Sequence, residues 1–343
     1  MSLYPYRTSI ILGIVFTLLL SAFWFFQDLA FIIFLSLLLQ LLLRPIVDFL
    51  ERRKVPRAIA AALMIVAFVA LLAGVLVILS LSFVPTFKEF VAELPHISLS
   101  LQNLPFFQDA SFFQTELSSL LARLRSLSAD FLRASLSFLL AAFGKFMDFV
   151  IIIFVSFYLL KDGEGIKIWL AELFPVPSRT RVLRLFDNLL RALRAYICSQ
   201  LAMCAVTGTV VFCYFTLMGL PYASVFALLS AAGEMIPVLG PTIASVFGTL
   251  VTAATTRELA LPTLLFYAAL TQVNHNVIYP ALVGKSLHLH PVAIILGVVF
   301  GGELLGPAGM FLAVPFIVIV KIVITDIYRD REEMQRSGDE NGI

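Results

Sequence analysis

Charge is what this sequence has least of: Asp, Glu, Lys and Arg make up 13% of its 343 residues, against the ~25% usual in a soluble domain. With 24 Lys and Arg against 22 Asp and Glu, and the basic residues divided among loops, no concentrated basic face is available, which removes nucleic acid from the candidate partners. Cysteine is scarce as well. Cys198, Cys204 and Cys213 lie in or beside one apolar segment without Cys-x-x-Cys spacing, so the pattern suggests neither a disulfide framework nor a zinc site, and the thiols read as small packing residues. Also missing are the phosphate-cradling Gly-x-x-x-x-Gly-Lys-Ser/Thr loop, the Gly-x-Ser-x-Gly nucleophile elbow and the His-Glu-x-x-His metal helix. ATP-driven work and hydrolysis within this chain are therefore unsupported, and the expectation is no enzyme, no cofactor and no metal.

What fills the chain instead is hydrocarbon: 60% of residues are hydrophobic and the mean hydropathy is +0.99. That composition specifies an integral membrane protein, and unbroken apolar runs of helical length specify an all-α polytopic one, because a spanning helix satisfies its own backbone groups. Apolar runs over 8–26, 29–43, 58–83, 136–160 and 197–217 are followed by a hairpin over 222–254, a span over 261–282 and a second hairpin over 292–324. About five or six full spans result, plus two hairpin segments that either cross twice or are re-entrant. The spacing from 85 to 133 is amphipathic with mixed charge, and Ser111 with Gln114 forms a capping box ahead of a helical apolar stripe from Phe113 to Phe131.

Six regions follow from these shifts: N-terminal spans 1–83, an external amphipathic helical subdomain 84–135, a span 136–160, an internal interfacial helical segment 161–196, a hairpin-containing domain 197–326 and a tail 327–343. Arg52, Arg53, Lys54 and Arg57 place the loop between the second and third runs inside by the bias of basic residues toward the cytoplasm. Arg179, Arg181, Arg184, Arg191 and Arg194 do the same for an amphipathic helix starting after Pro177-Ser178, whose arginines suit anionic lipid headgroups. Both termini are expected to be cytoplasmic.

The two hairpins carry the strongest local signal. The first is broken at Gly233-Glu234-Met235-Ile236-Pro237-Val238-Leu239-Gly240-Pro241 and the second at Gly302-Glu303-Leu304-Leu305-Gly306-Pro307, each a Gly-Glu pair followed by Gly-Pro. Glycine, proline and a carboxylate together in an apolar run indicate backbone buried in protein or lining water. Glu234 and Glu303 are candidate proton-exchanging groups, with helix-end hydrogen bonding to turn amides as the structural alternative. Between the hairpins, Thr271, Gln272, Asn274, His275 and Asn276 interrupt an apolar helix, and Gln272, Asn276 and Tyr279 share a face that should meet other helices or a cavity. His275 suits proton shuttling or an interhelical hydrogen bond, and Asn274 and Asn276 suit a hydroxyl-rich solute or helix packing. The candidate solute or ion pathway is thus Glu234, Pro237, Gly240, Pro241, Gln272, Asn274, His275, Asn276, Glu303, Gly306 and Pro307, between the hairpin tips and this polar face.

The run from Ile236 to Pro241, the segment 276–284 with Pro280, the turn Leu287-His288-Leu289-His290-Pro291, the stretch 306–315 and Phe157-Tyr158-Leu159-Leu160-Lys161-Asp162-Gly163 together resemble the autoinducer-2 exporter family of bacterial membrane proteins, over nearly the whole chain. The resemblance implies a secondary transporter in the cytoplasmic membrane, a homo-oligomer of pentameric kind, and an elevator-like hairpin domain. It implies a small polar cargo such as a furanosyl signalling molecule or a related metabolite, with protons or sodium as coupling ions. A sodium/proton antiporter is the alternative within the class, and a non-transporting membrane scaffold is the alternative outside it.

The charge bias generates a topological prediction. Single cysteines introduced at Ser111 and Ser178, on a background lacking the three native thiols, should react with impermeant reagents from opposite faces of the membrane. Equal labelling of both in intact cells would overturn the topology.

Overall fold

The computed structural model describes residues 13, 14, 17, 18, 21, 27–102, 135–236, 239–279, 281 and 289–340. The capping box at Ser111 and Gln114, the stripe from Phe113 to Phe131, Pro237, Pro280 and His288 fall outside them. Every element among the described residues is helical, and the fold is all-α, as the composition predicts. In order these are α1 (Gln27–Arg52), α2 (Arg57–Gln102), α3 (Ser135–Glu172), α4 (Arg179–Leu217), α5 (Ala223–Glu234), α6 (Leu239–Thr255), α7 (Ala260–Val273), a π-helical turn (Asn274–Ile278), α8 (Pro291–Leu305) and α9 (Pro307–Glu340). Among the described residues, four segments are long and apolar enough to cross a bilayer: Asp28–Arg52, Arg57–Val75, Val176–Leu217 and Pro307–Tyr328.

α1, α2 and α3 run further than their apolar stretches. α1 continues through Pro45 because Val47, fully buried, packs with Ala60 and Ala61 of α2 and Leu160 of α3. The apolar run of α2 thins out at Phe83, yet the helix continues through Pro85 and Pro95 to Gln102. Phe83, Phe87, Phe90 and Ile97 recur at helical spacing and pack into one apolar cluster, and that burial outweighs the backbone hydrogen bonds the prolines remove. Likewise α3 passes Gly163 and Gly165 and ends at Glu172.

The chain divides into two compact units, with the boundaries falling inside α2, α3 and α4 and after Gly284. Unit 1 comprises 1–68, 147–198 and 285–343. Its core joins Ile32, Leu39, Leu43 and Val47 of α1 to Ile65 of α2 and Ile152 of α3, while Leu38 and Leu41 meet Leu193 and Ile197 of α4 and Leu312 of α9. Its buried serines spend their hydroxyls on helix carbonyls: Ser156 donates to Ile152 O at 2.6 Å and is placed 3.1 Å from Ser36 O. Arg181 grips the Asp326 carboxylate through Nε at 2.9 Å and Nη2 at 2.8 Å, fastening α4 to α9.

Unit 2 comprises 69–146 and 199–284. Its core is aromatic, with the Phe90 ring edge-on to Tyr222, Phe226 and Phe247 at centroid separations of 5.1, 6.0 and 5.9 Å. Tyr222 holds a left-handed backbone at φ 62°, secured by that ring contact and by its hydroxyl donating to Glu93 Oε2 at 2.8 Å.

Each hairpin lies within one unit, and both close their arms by the same device. A Cβ on Gly240 would sit 1.7 Å from the carbonyl oxygen of Gly233, and a Cβ on Gly309 would sit 1.9 Å from that of Gly301. Backbone thus touches backbone across each hairpin. At ~1.5 Å per residue, the 12 residues of α5, 17 of α6 and 15 of α8 are each shorter than a ~30 Å hydrocarbon layer. At the second tip Gly306 takes φ +60°, which a side chain would strain.

Gly240→Ala and Gly309→Ala should each destabilise the purified protein by roughly 1–3 kcal/mol, since the obstructing atoms are backbone. Gly74→Ala, whose Cβ would meet nothing within 4 Å inside α2, should be neutral or slightly stabilising. Thermal unfolding in detergent reads all three, and equal midpoints would show that the arms separate freely.

Candidate functional site

In unit 2 the second half of α4 carries Gln200 and Thr207 seven residues apart, hence on one helical face, and both are buried. Beside that face α4 approaches α5 closely at Gly208, where a Cβ would come within 2.9 Å of the Ala231 side chain. α5 then ends at Glu234, so the carboxylate emerges where the helix stops and faces Thr207. The third contributor comes from the far end of α7. There the helix loosens into the π turn, where the Tyr279 N–H reaches back to the Asn274 carbonyl, and Asn274 is the buried residue of that turn. Single π turns inside α-helices recur at functional sites because they re-aim side chains.

The result is a closed triangle. Thr207 Oγ1 donates to Glu234 Oε1 at 2.9 Å, and Asn274 Nδ2 donates both to the same Oε1 at 2.9 Å and to Thr207 Oγ1 at 2.8 Å. Gln200 Nε2 adds a bond to the Glu234 main-chain carbonyl, one of the acceptors a helix end leaves open. All four residues are nine-tenths or more buried: Gln200 is 5% exposed, Thr207 4%, Glu234 9% and Asn274 3%. The donors to the carboxylate are neutral, and among the described residues no Lys, Arg or His comes within ion-pairing distance of it. Asn274 Oδ1 is buried with no hydrogen-bond partner among the described residues.

Beside the triangle, between α6 and α7, runs a groove of about 310 Å³ lined by Pro241, Thr242, Ser245, Tyr267, Thr271, Gln272 and His275 among others. Tyr267 reaches α6 because Gly248 leaves room: a Cβ there would lie 2.7 Å from the phenol oxygen. Its hydroxyl is 3.4 Å from Ser230 Oγ. Hydroxyl, amide and imidazole groups on an apolar floor are the usual lining for a small polar molecule.

Of the residues picked out by sequence, the structure brings Glu234 and Asn274 together and sets Pro241, Gln272 and His275 along the groove. Gly240 is the close contact of the hairpin arms. Asn276 Nδ2 donates to Gln272 Oε1 at 2.8 Å, and both side chains are exposed. The fully buried member of this polar stretch is Asn274, which continues the buried face of Thr263, Tyr267 and Leu270 at regular helical spacing into the first residue of the π turn. Glu303, Gly306 and Pro307 belong to unit 1, where Glu303 and Pro307 are exposed. His290 accepts from the Val292 N–H at 3.3 Å as a cap of α8, and no cluster of metal-ligating residues occurs among the described residues. Gln200 and Thr207 escaped the sequence reading. Their i, i+7 spacing in an otherwise apolar span was the available signal.

Thr207→Val keeps the shape of that side chain but removes a donor to a buried carboxylate, so it should cost roughly 1.5–3 kcal/mol of stability. Glu303→Gln, at an exposed position, should stay within about 0.5 kcal/mol of wild type. Matched midpoints for the two variants in detergent would mean the triangle holds nothing together.

The AI-2E family transporter model matches residues 13–329 of this chain. Bacillus subtilis "Putative transport protein YueF" is 29% identical over 329 residues, covering 91% of this chain and 88% of the relative. YrrI of the same organism, similarly named, is 28% identical and covers 92% of each chain. The Escherichia coli "AI-2 transport protein TqsA" is 25% identical over 314 residues, covering 84% of this chain and 83% of its own. A match over nearly the full length, on an all-helical polytopic fold with glycine-closed hairpins, settles the assignment: this chain is a multi-pass membrane protein of the AI-2E transporter family.

Proposed function

We propose that this transporter exports a small polar solute across the bacterial cytoplasmic membrane, driven by an ion exchanged at Glu234. The observation that supports it most is the buried Glu234 carboxylate, held by Thr207 and Asn274 with no basic ion-pair partner among the described residues. An uncompensated buried charge is costly, and binding a proton or a cation relieves that cost. The groove along α6 and α7 reaches His275, next to Asn274 in the π turn, so occupancy of the carboxylate and of the groove both bear on that turn. Hydroxyl and amide groups along it suit a hydroxyl-bearing solute such as a furanosyl signalling molecule, and the relative TqsA is named as an AI-2 transport protein. In this reading the cycle is elevator-like, the first hairpin, with two short arms, is re-entrant, the protein works as a homo-oligomer, and Gln272 and His275 contact cargo.

A second reading, sodium/proton antiport, is favoured by one feature. Asn274, whose amide nitrogen faces Thr207 and Glu234, has a buried Oδ1 with no hydrogen-bond partner among the described residues, and hard oxygen donors such as these three side chains carry suit an alkali cation.

Purified protein in sealed vesicles tests both. Solute efflux should rise with an imposed proton gradient in wild type and lose that dependence in Glu234→Gln, while Glu303→Gln keeps it. Sodium-dependent proton movement without solute would establish the second reading. A screen of small polar metabolites and sodium that finds no flux, in protein of native stability, would leave a membrane scaffold.

A further inference from the structure

In unit 1 a cavity of about 450 Å³ opens between α1 and α4, lined by Leu41, Arg44 and Asp48 on one side and Asp187, Leu190, Arg191 and Arg194 on the other. Its charges do not balance. Asp48 is shared by Arg44 and Arg57, each at 3.6 Å. Glu164 pairs with Arg44 and, at 2.7 Å, with Lys167, and Lys167 also meets Asp187 at 2.8 Å. The hydrogen bond from Lys167 is the main reason the Glu164 carboxyl titrates below its usual range, so this carboxylate is ionised and committed at neutral pH. Each acidic group at the cavity is thereby paired with Arg44, Arg57 or Lys167, and Arg57 also holds Glu51 at 2.9 Å.

Arg191 and Arg194 are left over. Arg191 donates only to neutral acceptors, Asn188 Oδ1 at 2.6 Å and the Asp187 carbonyl at 3.3 Å, and Arg194 has no hydrogen bond or ion pair among the described residues. They stand three residues apart on one face of α4, both exposed to the cavity. Two planar guanidinium groups converging on a polar cavity match the oxygens of a phosphate better than a single carboxylate.

Position points the same way. The apolar run of α1 ends at Leu43, one residue before Arg44, and the apolar run of α4 starts at Ile197, three residues after Arg194. The cavity therefore sits where two spans leave the hydrocarbon, the depth of lipid phosphates, with Leu41 and Leu190 on its apolar side.

We propose that this cavity binds a phosphate group, with Arg191 and Arg194 as its ligands. An anionic phospholipid and a soluble phosphate ester both carry that group. The test is independent of transport. Full-length protein in detergent is treated with phenylglyoxal, which modifies accessible arginines, and rates at Arg191, Arg194 and Arg184 are read by mass spectrometry. Arg184 is exposed on the same helix but outside the cavity lining. Phosphatidylglycerol should slow modification of Arg191 and Arg194 by about tenfold relative to phosphatidylcholine and leave Arg184 unchanged, tenfold being the order of one or two charge-assisted hydrogen bonds. If glycerol phosphate protects the same pair without lipid, the ligand is the soluble ester; if only the lipid protects, it is the headgroup. Equal rates at all three arginines with both probes would overturn the proposal. So would an Arg191→Gln/Arg194→Gln double variant that keeps the full rise in thermal midpoint given by phosphatidylglycerol over phosphatidylcholine. Should that variant not fold, protection in the wild type still decides.

Discussion

A helix that stops leaves its last carbonyls and first amides without partners inside the helix, and the hairpins of this protein are built around that constraint. At the first tip, Met235 N–H bonds the Ala232 carbonyl at 3.1 Å, Ile236 that of Gly233 at 2.9 Å, and Gly240 that of Ile236 at 3.0 Å, so these three amides are satisfied at the end of one arm and the start of the next. At the second, Gly306 N–H bonds Gly302 at 2.9 Å and Met310 bonds Gly306 at 3.1 Å. Reversal within so few residues forces the arms together. The reciprocal contacts Gly233–Gly240 and Gly301–Gly309 follow, because no side chain fits between backbones at that separation.

The same constraint decides where chemistry can sit. Gln200 caps the Glu234 carbonyl from a neighbouring helix, which draws α4 against the tip and carries Thr207 to the carboxylate. Polar groups of a helix terminus and of a carboxylate are thus answered by one face of α4 and one loosened turn of α7. The second hairpin has a Gly-Glu pair at the matching sequence position, yet Glu303 is exposed. Two tips that read alike therefore present different groups: one a buried, neutral-capped carboxylate, the other an open surface.

Charged residues obey a complementary rule at the ends of the spans. Arg44, Arg57, Lys167, Asp48, Glu164 and Asp187 neutralise one another across α1, α2, α3 and α4, tying four helices within one unit. Arg181 with Asp326 extends this to α9. Individually such partly exposed pairs contribute little. Their distribution still matters, because these pairs, with Glu51 on Arg57, leave Arg191 and Arg194 without an acidic partner among the described residues.

Composition alone determined the class: with 60% hydrophobic residues and runs of helical length, only helices can satisfy the backbone, and the structure is all-α. The hairpin breaks were legible too, since Gly, Pro and a carboxylate inside an apolar run interrupt a helix where hydrocarbon offers no replacement bonds, and the ordered motifs carried the family. Helix ends were not. Whether α2 stops at Phe83 or continues through two prolines depends on Phe90 and Ile97 finding Tyr222, Phe226 and Phe247, partners more than a hundred residues away. The site shows the same division. Glu234 stands out locally, but its partners Thr207 and Gln200 are ordinary polar residues in an apolar span until folding turns them inward. Asn274, and not Gln272 or Asn276, is the buried amide because it shares a helical face with Thr263, Tyr267 and Leu270, and which face of an apolar helix packs inward is set by its neighbours, which periodicity along so uniformly apolar a stretch does not encode.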